Sequence, residues 1–229
     1  MSKKAKLYYF NGRGKMESIR WLMAAAGIEF EEVFLETREQ YEALLKEGVL
    51  LYQQVPMVEM DGMKLVQSQA IMQYIAGKHD LHGKDLKERL LIDMYVGGTT
   101  DLMMVILPHP FLSPEDKLKH INIIEQKTKE RYFPVYEKVL RDHGGNFLVG
   151  NRLSWADVQL IETILMVEEK CSNVLTSFPQ LQKFKQRISE IPPIKAFLQP
   201  GSQRKPQPDD KYVATVRTVL QAYYKVNFN

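Results

Sequence analysis

The first eighty residues change hydrophobic period several times. "KLYYF" (6–10) is an aromatic-rich run that predicts a strand, and "GRG" ends it. A helix is expected from about Lys15. Met16, Ile19, Leu22, Met23 and Ala26 recur there at helical spacing, and Gly27 suits the position just past a helix end. "EFEEVFL" (29–35) predicts a second strand, and "TREQYEALLKEG" (37–48) a short helix closed by Gly48. "MVEM" and "MKLV" are short strands around Asp61-Gly62, a strong hairpin signal. "SQAIMQYIAGKH" (68–79) predicts a helix with Ser68 at its N-cap. The order βαβ, helix, ββα describes a small α/β domain with a mixed sheet, assigned to residues 1–82.

"HDLHGKD" and Gly83 mark a linker, and strand signals stop beyond it. "LKERLLIDMYVGGTTDLMMVIL" (86–107) has helical periodicity and halts at Pro108. The segment from Ser113 to Gly144-Gly145 opens with a serine N-cap, Pro114 and acidic residues, and Pro134 predicts a kink inside it. Ser154 stands three residues before Asp157, the spacing of a capping box. Pro179 and Pro192-Pro193 punctuate further helices, so residues 86–229 are expected to be all-helical. After the Pro-rich connector "QPGSQRKPQPDD", Tyr212, Val213, Val216, Val219, Leu220 and Tyr223 form one apolar stripe. On pattern alone, that tail helix reads equally as a lid or as a helix docked on its neighbours.

The bulk numbers narrow the class. The chain has 229 residues, enough for one large or two small cores. Its 31 basic and 28 acidic residues leave a net charge of +3, and the basic residues are scattered among acids. That is not the one-sided basic face of a nucleic-acid binder. No run of about 18 apolar residues suggests a membrane span, and the basic N-terminus lacks the apolar stretch of a secretion signal. Cys171 is the only cysteine, which excludes internal disulfides and fits a reducing, cytoplasmic location.

Familiar nucleotide motifs fail. "GRGK" has its glycines too close for a P-loop, and Glu17 occupies the third-glycine position of a dinucleotide fingerprint. The five histidines fall in loops or on polar faces, with no third ligand near His79 and His82, so no metal is expected. No G-x-S-x-G elbow occurs. "QQVPMVEMDGMKLVQSQAI" (53–71) carries more information. Pro56 belongs at a strand's start or edge. If its peptide bond were cis, the Val55 backbone would face outward and could pair with an extended peptide. Gln67-Ser68 opens a helix whose N-terminus suits a carboxylate. Together they suit a small acidic peptide, while a plain hairpin and a capped helix account for the same pattern.

"YYFNGRGKMESIRWLMAAAGIEFEE", "QQVPMVEMDGMKLVQSQAI", "KERLLIDMYVGGTTDL", "RYFPVYEKVL", "FLVGNRLSWADV" and "FLQPGSQRKP" together resemble a cytosolic glutathione transferase of the alpha class, over nearly the whole chain. The resemblance implies a thioredoxin-like N-terminal domain, an all-helical C-terminal domain with a lid helix, a homodimer, and a cis bond before Pro56. It implies that glutathione is a co-substrate and that no cofactor is needed.

By that resemblance, Tyr9 is the catalytic tyrosine and Tyr8 its strand neighbour facing the other way. A phenol O–H donated to the glutathione sulfur favours the reactive thiolate. Lys15 stands where the family usually has arginine and keeps the charge without the planar fork of donors. Glutathione is expected against Gln54, Val55, Pro56, Gln67 and Ser68, with Lys46 a substitute for a basic residue usual at the Leu45 position. Asp101 and Arg131 match residues that reach in from a second subunit. Tyr52 matches an aromatic that plugs into the partner near Met94 and Tyr136, while Gln69 and Gly97 replace a charged pair of that interface. The electrophile is expected against Phe10, Gly12, Met104, Leu107, Pro108, Tyr212, Val216 and Leu220. "HPFLSPED" and "DDKYVATV" look like the branch that prefers lipid-peroxidation alkenals, in which Tyr212 would polarise the carbonyl; packing of the lid is the other role open to it. The implied function is conjugation of glutathione to hydrophobic electrophiles, aromatic halides among them. A carrier of bulky apolar ligands or organic anions is the alternative. A redox thiol enzyme is disfavoured, because Cys171 lies far from the first strand and turn.

Overall fold

A computed structural model describes residues 4–221. Residues 1–3, where the basic N-terminal run begins, and Tyr223 of the tail stripe lie outside the described residues.

Four strands form one mixed sheet in the order β2-β1-β3-β4: β1 Ala5–Tyr9, β2 Phe30–Phe34, β3 Met57–Met60 and β4 Met63–Val66. β1 runs parallel to β2, with Tyr9 beside Phe34, and antiparallel to β3, with Tyr8 beside Met57. Alternation along β1 buries Ala5, Leu7 and Tyr9. Asp61 and Gly62 both have positive φ, 53° and 75°, the conformation of a tight hairpin turn. Helices α1 (Glu17–Ala25), α2 (Arg38–Lys46) and α3 (Ser68–Lys78) complete this part. Thr37 and Gln40 form a reciprocal capping box on α2. Gly27 closes α1 with φ 69°, and Gly48 follows α2 with φ 70°. This is the thioredoxin-like arrangement the resemblance implies, and the Val55-Pro56 bond is cis.

Beyond it come α4 (Leu86–Ile106), α5 (Pro114–Lys127), α6 (Phe133–His143), α7 (Trp155–Glu168), α8 (Pro179–Ser189), α9 (Pro192–Leu198) and α10 (Asp210–Val219). α7 is buried on all sides, its polar Asp157, Gln159, Glu162 and Thr163 included, and packs against both α4 and α1, so it joins the two parts. Its entry is fixed by Asp157. That carboxylate accepts from the Leu148 and Ser154 N–H groups, each at 2.8 Å, and from the Ser154 hydroxyl at 2.7 Å. Burial nevertheless pushes Asp157 up to about 6.

Three expectations need correction. Ser68 is the first residue of α3, not its cap; Gln67 holds the cap position with φ 69° and no capping side-chain bond. The helix expected from Lys15 begins with a tighter turn, Gly14–Met16, before α1 proper. The single kinked helix across 113–145 is α5, one wide π turn (Thr128–Tyr132), and α6. Pro134 has no N–H to offer the carbonyl four residues back, and the preceding turn widens around that missing bond.

α4 forms where its periodicity predicts and divides its apolar residues between two faces. By length and composition the stretch Leu86–Phe111 is apolar enough to cross a membrane, with a mean hydropathy of 1.5 in its most apolar window. One face of α4 packs on α7. The other leaves Leu86, Leu90 and Met94, spaced four apart, exposed by 82, 60 and 58%.

Candidate active site

The site is built around the turn between β1 and α1. Tyr9 ends β1, and the chain then reverses at Gly12, whose N–H donates to the Phe10 carbonyl at 2.8 Å. Gly14 follows with φ 42°, a conformation that favours glycine. The Lys15 main-chain N–H donates to the Tyr9 phenol oxygen at 3.2 Å. A donor at that oxygen, at the start of a helix, stabilises negative charge there. Tyr8 differs. Its phenol donates to Glu59 at 3.2 Å, and burial with the Glu59 charge raises its pKa. Of the two adjacent tyrosines, Tyr9 is the one whose environment suits stabilising an anion.

The residues expected to hold glutathione flank β3 and β4 of the same sheet. Gln54 and Gln67 meet, with the Gln67 amide donating to Gln54 Oε1 at 3.3 Å. Ser68 is half-buried at the first position of α3, and Val55 is half-buried ahead of Pro56. Gln67 sits in left-handed backbone, which is uncommon for a residue with a side chain and recurs at ligand sites. Lys15 and Lys46 have exposed side chains at the ends of the turn and of α2. Asp101 and Arg131 are exposed on α4 and the π turn, with the Arg131 guanidinium 5.2 Å from the Tyr132 ring.

The tail helix closes over the turn. Asp209 caps it, accepting from the Tyr212 N–H at 2.8 Å. Tyr212 is buried, 6.4 Å from the Phe10 ring and 6.2 Å from the Phe111 ring. A Cβ at Gly12 would overlap the Tyr212 ring, and one at Gly14 would overlap the Tyr9 phenol and lie 2.7 Å from the Tyr212 oxygen. Val216 is buried on the same face and Leu220 half-buried. Met104, Leu107 and Pro108 lie at the end of α4; Met104 and Pro108 are exposed and Leu107 half-buried. Arg217 donates to the Phe111 carbonyl at 3.1 Å and Arg38 to the Val219 carbonyl at 2.8 Å, so both parts of the chain hold the tail helix.

Sequence reasoning passed over several residues here. Phe111 lies within "HPFLSPED", whose aromatic was the available signal. His109 is buried rather than on a polar face. It stacks on His120 with ring centroids 5.5 Å apart, and burial first, then Lys170, pulls it down to about 4. Most of all, a buried cluster of charge lies behind the turn. Arg13 pairs with Glu169 through two bonds of 2.6 and 2.9 Å. Arg20 holds Glu17 at 2.9 Å, the Gly12 carbonyl at 2.8 Å, and Glu32. Glu162 on α7 faces this cluster. Burial pushes its carboxyl up to about 8; Ser18 draws it back, Glu17 adds to the rise, and Arg13 and Arg204 oppose it.

With this geometry established, comparison with known proteins is informative. Residues 5–77 match the family model "Glutathione S-transferase, N-terminal domain", and residues 100–201 match "Glutathione S-transferase, C-terminal domain". The chain is 70% identical over 226 residues to glutathione S-transferase 3 of Gallus gallus, covering 99% of each chain. It is 65% identical to glutathione S-transferase A4 of Mus musculus, covering 96% of this chain and all of that one. Among solved structures it resembles the glutathione S-transferase Na-GST-3 of Necator americanus, described as monomeric. That match has a TM-score of 0.75 and 28% identity, over 86% of this chain and 96% of that one.

The Glu162 environment gives a testable pH dependence. Its pKa in the folded state lies above that of the unfolded chain, so folding favours the protonated form. The resulting stabilisation is complete below the usual carboxylate range and is lost as pH rises toward about 8. Glu162→Gln, which keeps the neutral shape, is expected to flatten the fall in thermal midpoint between about pH 6 and 8.5. Parallel melting curves for the two proteins across that range would contradict the assignment.

Proposed function

We propose, for a chain that belongs to the alpha class of the glutathione S-transferase family, that Tyr9 activates the glutathione thiol for attack on hydrophobic electrophiles. The observation that carries this is the bond from the Lys15 N–H to the Tyr9 phenol oxygen. A donor at that oxygen favours negative charge there and so makes the phenol a stronger acid toward a thiolate. The protein is a transferase, with glutathione as co-substrate and no resident cofactor. Glutathione lies along Gln54, Val55 and Pro56, with its γ-glutamyl carboxylate on Gln67 and Ser68. Lys15 and Lys46 supply positive charge, and Asp101 and Arg131 act from a second copy. The location is cytoplasmic and the role is detoxification. Tyr9→Phe is expected to lower turnover roughly ten- to hundredfold, as loss of a charge-assisted hydrogen bond of about 1.5–3 kcal/mol implies. Glutathione binding should survive within a few-fold. Unchanged turnover would refute the role of Tyr9.

The second substrate meets Phe10, Gly12, Leu107, Val216, Leu220 and Tyr212, with Met104 and Pro108 at the rim. The support for an alkenal is the position of Tyr212, buried against Phe10 and beside the place a Cβ of Gly14 would occupy, near the Tyr9 phenol. A phenol there can donate to a carbonyl oxygen while the thiolate attacks. Rates with a hydroxyalkenal, a chloro-dinitroaromatic and an organic hydroperoxide should show alkenal dominance that Tyr212→Phe abolishes. An indifferent Tyr212→Phe would leave Tyr212 as lid packing only. A carrier role is the second reading, favoured by the apolar rings around the turn; tight binding of bulky anions with negligible conjugation would select it. Cys171 is buried and burial raises its thiol pKa, which speaks against a redox thiol enzyme.

The homodimer is supported by the exposed apolar stripe Leu86, Leu90 and Met94 on α4, together with Leu51 and Tyr52. Tyr136, expected to line the socket for Tyr52, is buried and donates to the Tyr95 carbonyl at 2.7 Å, so Met94 is the exposed member of that pair. Sedimentation is expected to give a dimer for the unaltered protein and a shift toward monomer for Tyr52→Ala. A monomer from the unaltered chain, as described for Na-GST-3, would overturn the dimer and the roles of Asp101 and Arg131.

A further inference from the structure

The connector between α9 and α10 runs across the first domain and is gripped there through its main chain. Glu17 Oε1 accepts from the Lys205 N–H at 3.1 Å, and Arg13 Nε donates to the Lys205 carbonyl at 2.8 Å. Both Glu17 and Arg13 are buried. The Lys205 ammonium meets Glu32 at 2.5 Å, and Gln203 donates to the Phe30 carbonyl at 3.3 Å. Between Lys205 and the Asp209 cap, Pro206 and Pro208 restrict the backbone, so a displacement at Lys205 is passed on rather than absorbed. The gripping residues alternate with those that touch the tail helix and Tyr9. Gly12 receives the Tyr212 ring, Arg13 holds Lys205, Gly14 clears both phenols, the Lys15 N–H reaches Tyr9, and Glu17 holds Lys205 again.

We propose that Arg13 and Glu17 are positioning residues for the second substrate: their grip on the Lys205 main chain sets where Tyr212 closes over Gly12, beside Tyr9. They act through the tail helix and touch neither substrate. The proposal rests on the reading of Tyr212 as a wall of the electrophile site. Seating of the lid and geometry at Tyr9 are then tied to one six-residue stretch, and a lid out of place degrades electrophile binding before glutathione binding.

The test is a kinetic cycle on the full chain with a chloro-dinitroaromatic, so that it does not depend on the alkenal preference. Arg13→Lys keeps a positive charge facing Glu169 but removes the Nε–H that reaches Lys205. It is expected to raise the electrophile KM about tenfold while the glutathione KM stays within about twofold. In a Tyr212→Ala background, where there is no phenol left to position, the same substitution should add less than about twofold. Equal rises in both KM values, or full multiplication of the two effects, would mean a merely structural role and overturn the proposal. A silent Tyr212→Ala would overturn the electrophile-site reading and this proposal with it; an effective Tyr212→Ala beside a silent Arg13→Lys would overturn this proposal alone. Glu17→Met, which removes the acceptor for the Lys205 N–H, gives a second arm with the same expectation. Hydrogen exchange on the unaltered protein needs no variant: the Lys205 amide should exchange about as slowly as the amides of α1, and exchange at the rate of an open loop would refute the grip.

Discussion

A side chain at position 12 would stand inside the Tyr212 ring, and one at 14 would stand on the Tyr9 phenol. The whole site is organised around that lack of room. Because two Cβ atoms are missing, the tail helix can come down onto the turn, and the turn can present its Lys15 N–H to the Tyr9 oxygen. Phe10 and Phe111 then fill the sides, each within 6.4 Å of the Tyr212 ring. A phosphate-binding loop uses glycine to let backbone approach a ligand. Here glycine lets two aromatic side chains approach backbone. Glycine thus serves a different contact here, at a spacing too short for a P-loop.

Behind this turn lies an arrangement that costs desolvation. Arg13, Glu17, Arg20 and Glu162 are all buried. Isolated charges there would be strongly unfavourable, and removing one partner from such a group is worse than never having had the group. The cluster is tolerable because its members are matched: Arg13 with Glu169, Arg20 with Glu17 and Glu32, Lys205 with Glu32. Burial moves both Glu17 and Glu162 toward the neutral form. What the arrangement gains is directional. Apolar packing would hold α1, α7 and the connector together without fixing their register, whereas hydrogen bonds to the Lys205 N–H and carbonyl fix it residue by residue.

The fold was legible wherever one local rule decided the outcome. Asp61-Gly62, the Thr37–Gln40 stretch, Gly27 and the Ser154–Asp157 box each dictate an element end through their own backbone geometry. Misreadings arose where a residue serves two demands. Ser68 looks like a cap, but Gln67 takes the cap position in left-handed backbone and turns its side chain to Gln54. Pro134 predicts a kink, but the chain spends the missing bond in one wide turn. At the turn, Tyr9, Phe10, Gly12 and Tyr212 lie together, residues far apart in sequence brought into contact by the tail helix. Arg13 was invisible in the sequence, because its partners lie 156 and 192 residues away and nothing in "GRGK" announces them.

The two basic residues that flank Gly14 therefore do unlike work, and burial separates them. Lys15 contributes its main chain to Tyr9 and leaves its ammonium exposed, free to meet an anionic ligand from solvent. Arg13 is buried and spends its guanidinium on the protein: two donors on Glu169 and one on the Lys205 carbonyl. Only a planar fork can satisfy both partners at once, so arginine is required at 13. At 15 a single charge on a flexible stem suffices, because the directional bond comes from the backbone and not from the side chain. That division sets unlike demands on the two positions: at 15 the directional bond is already supplied by the turn.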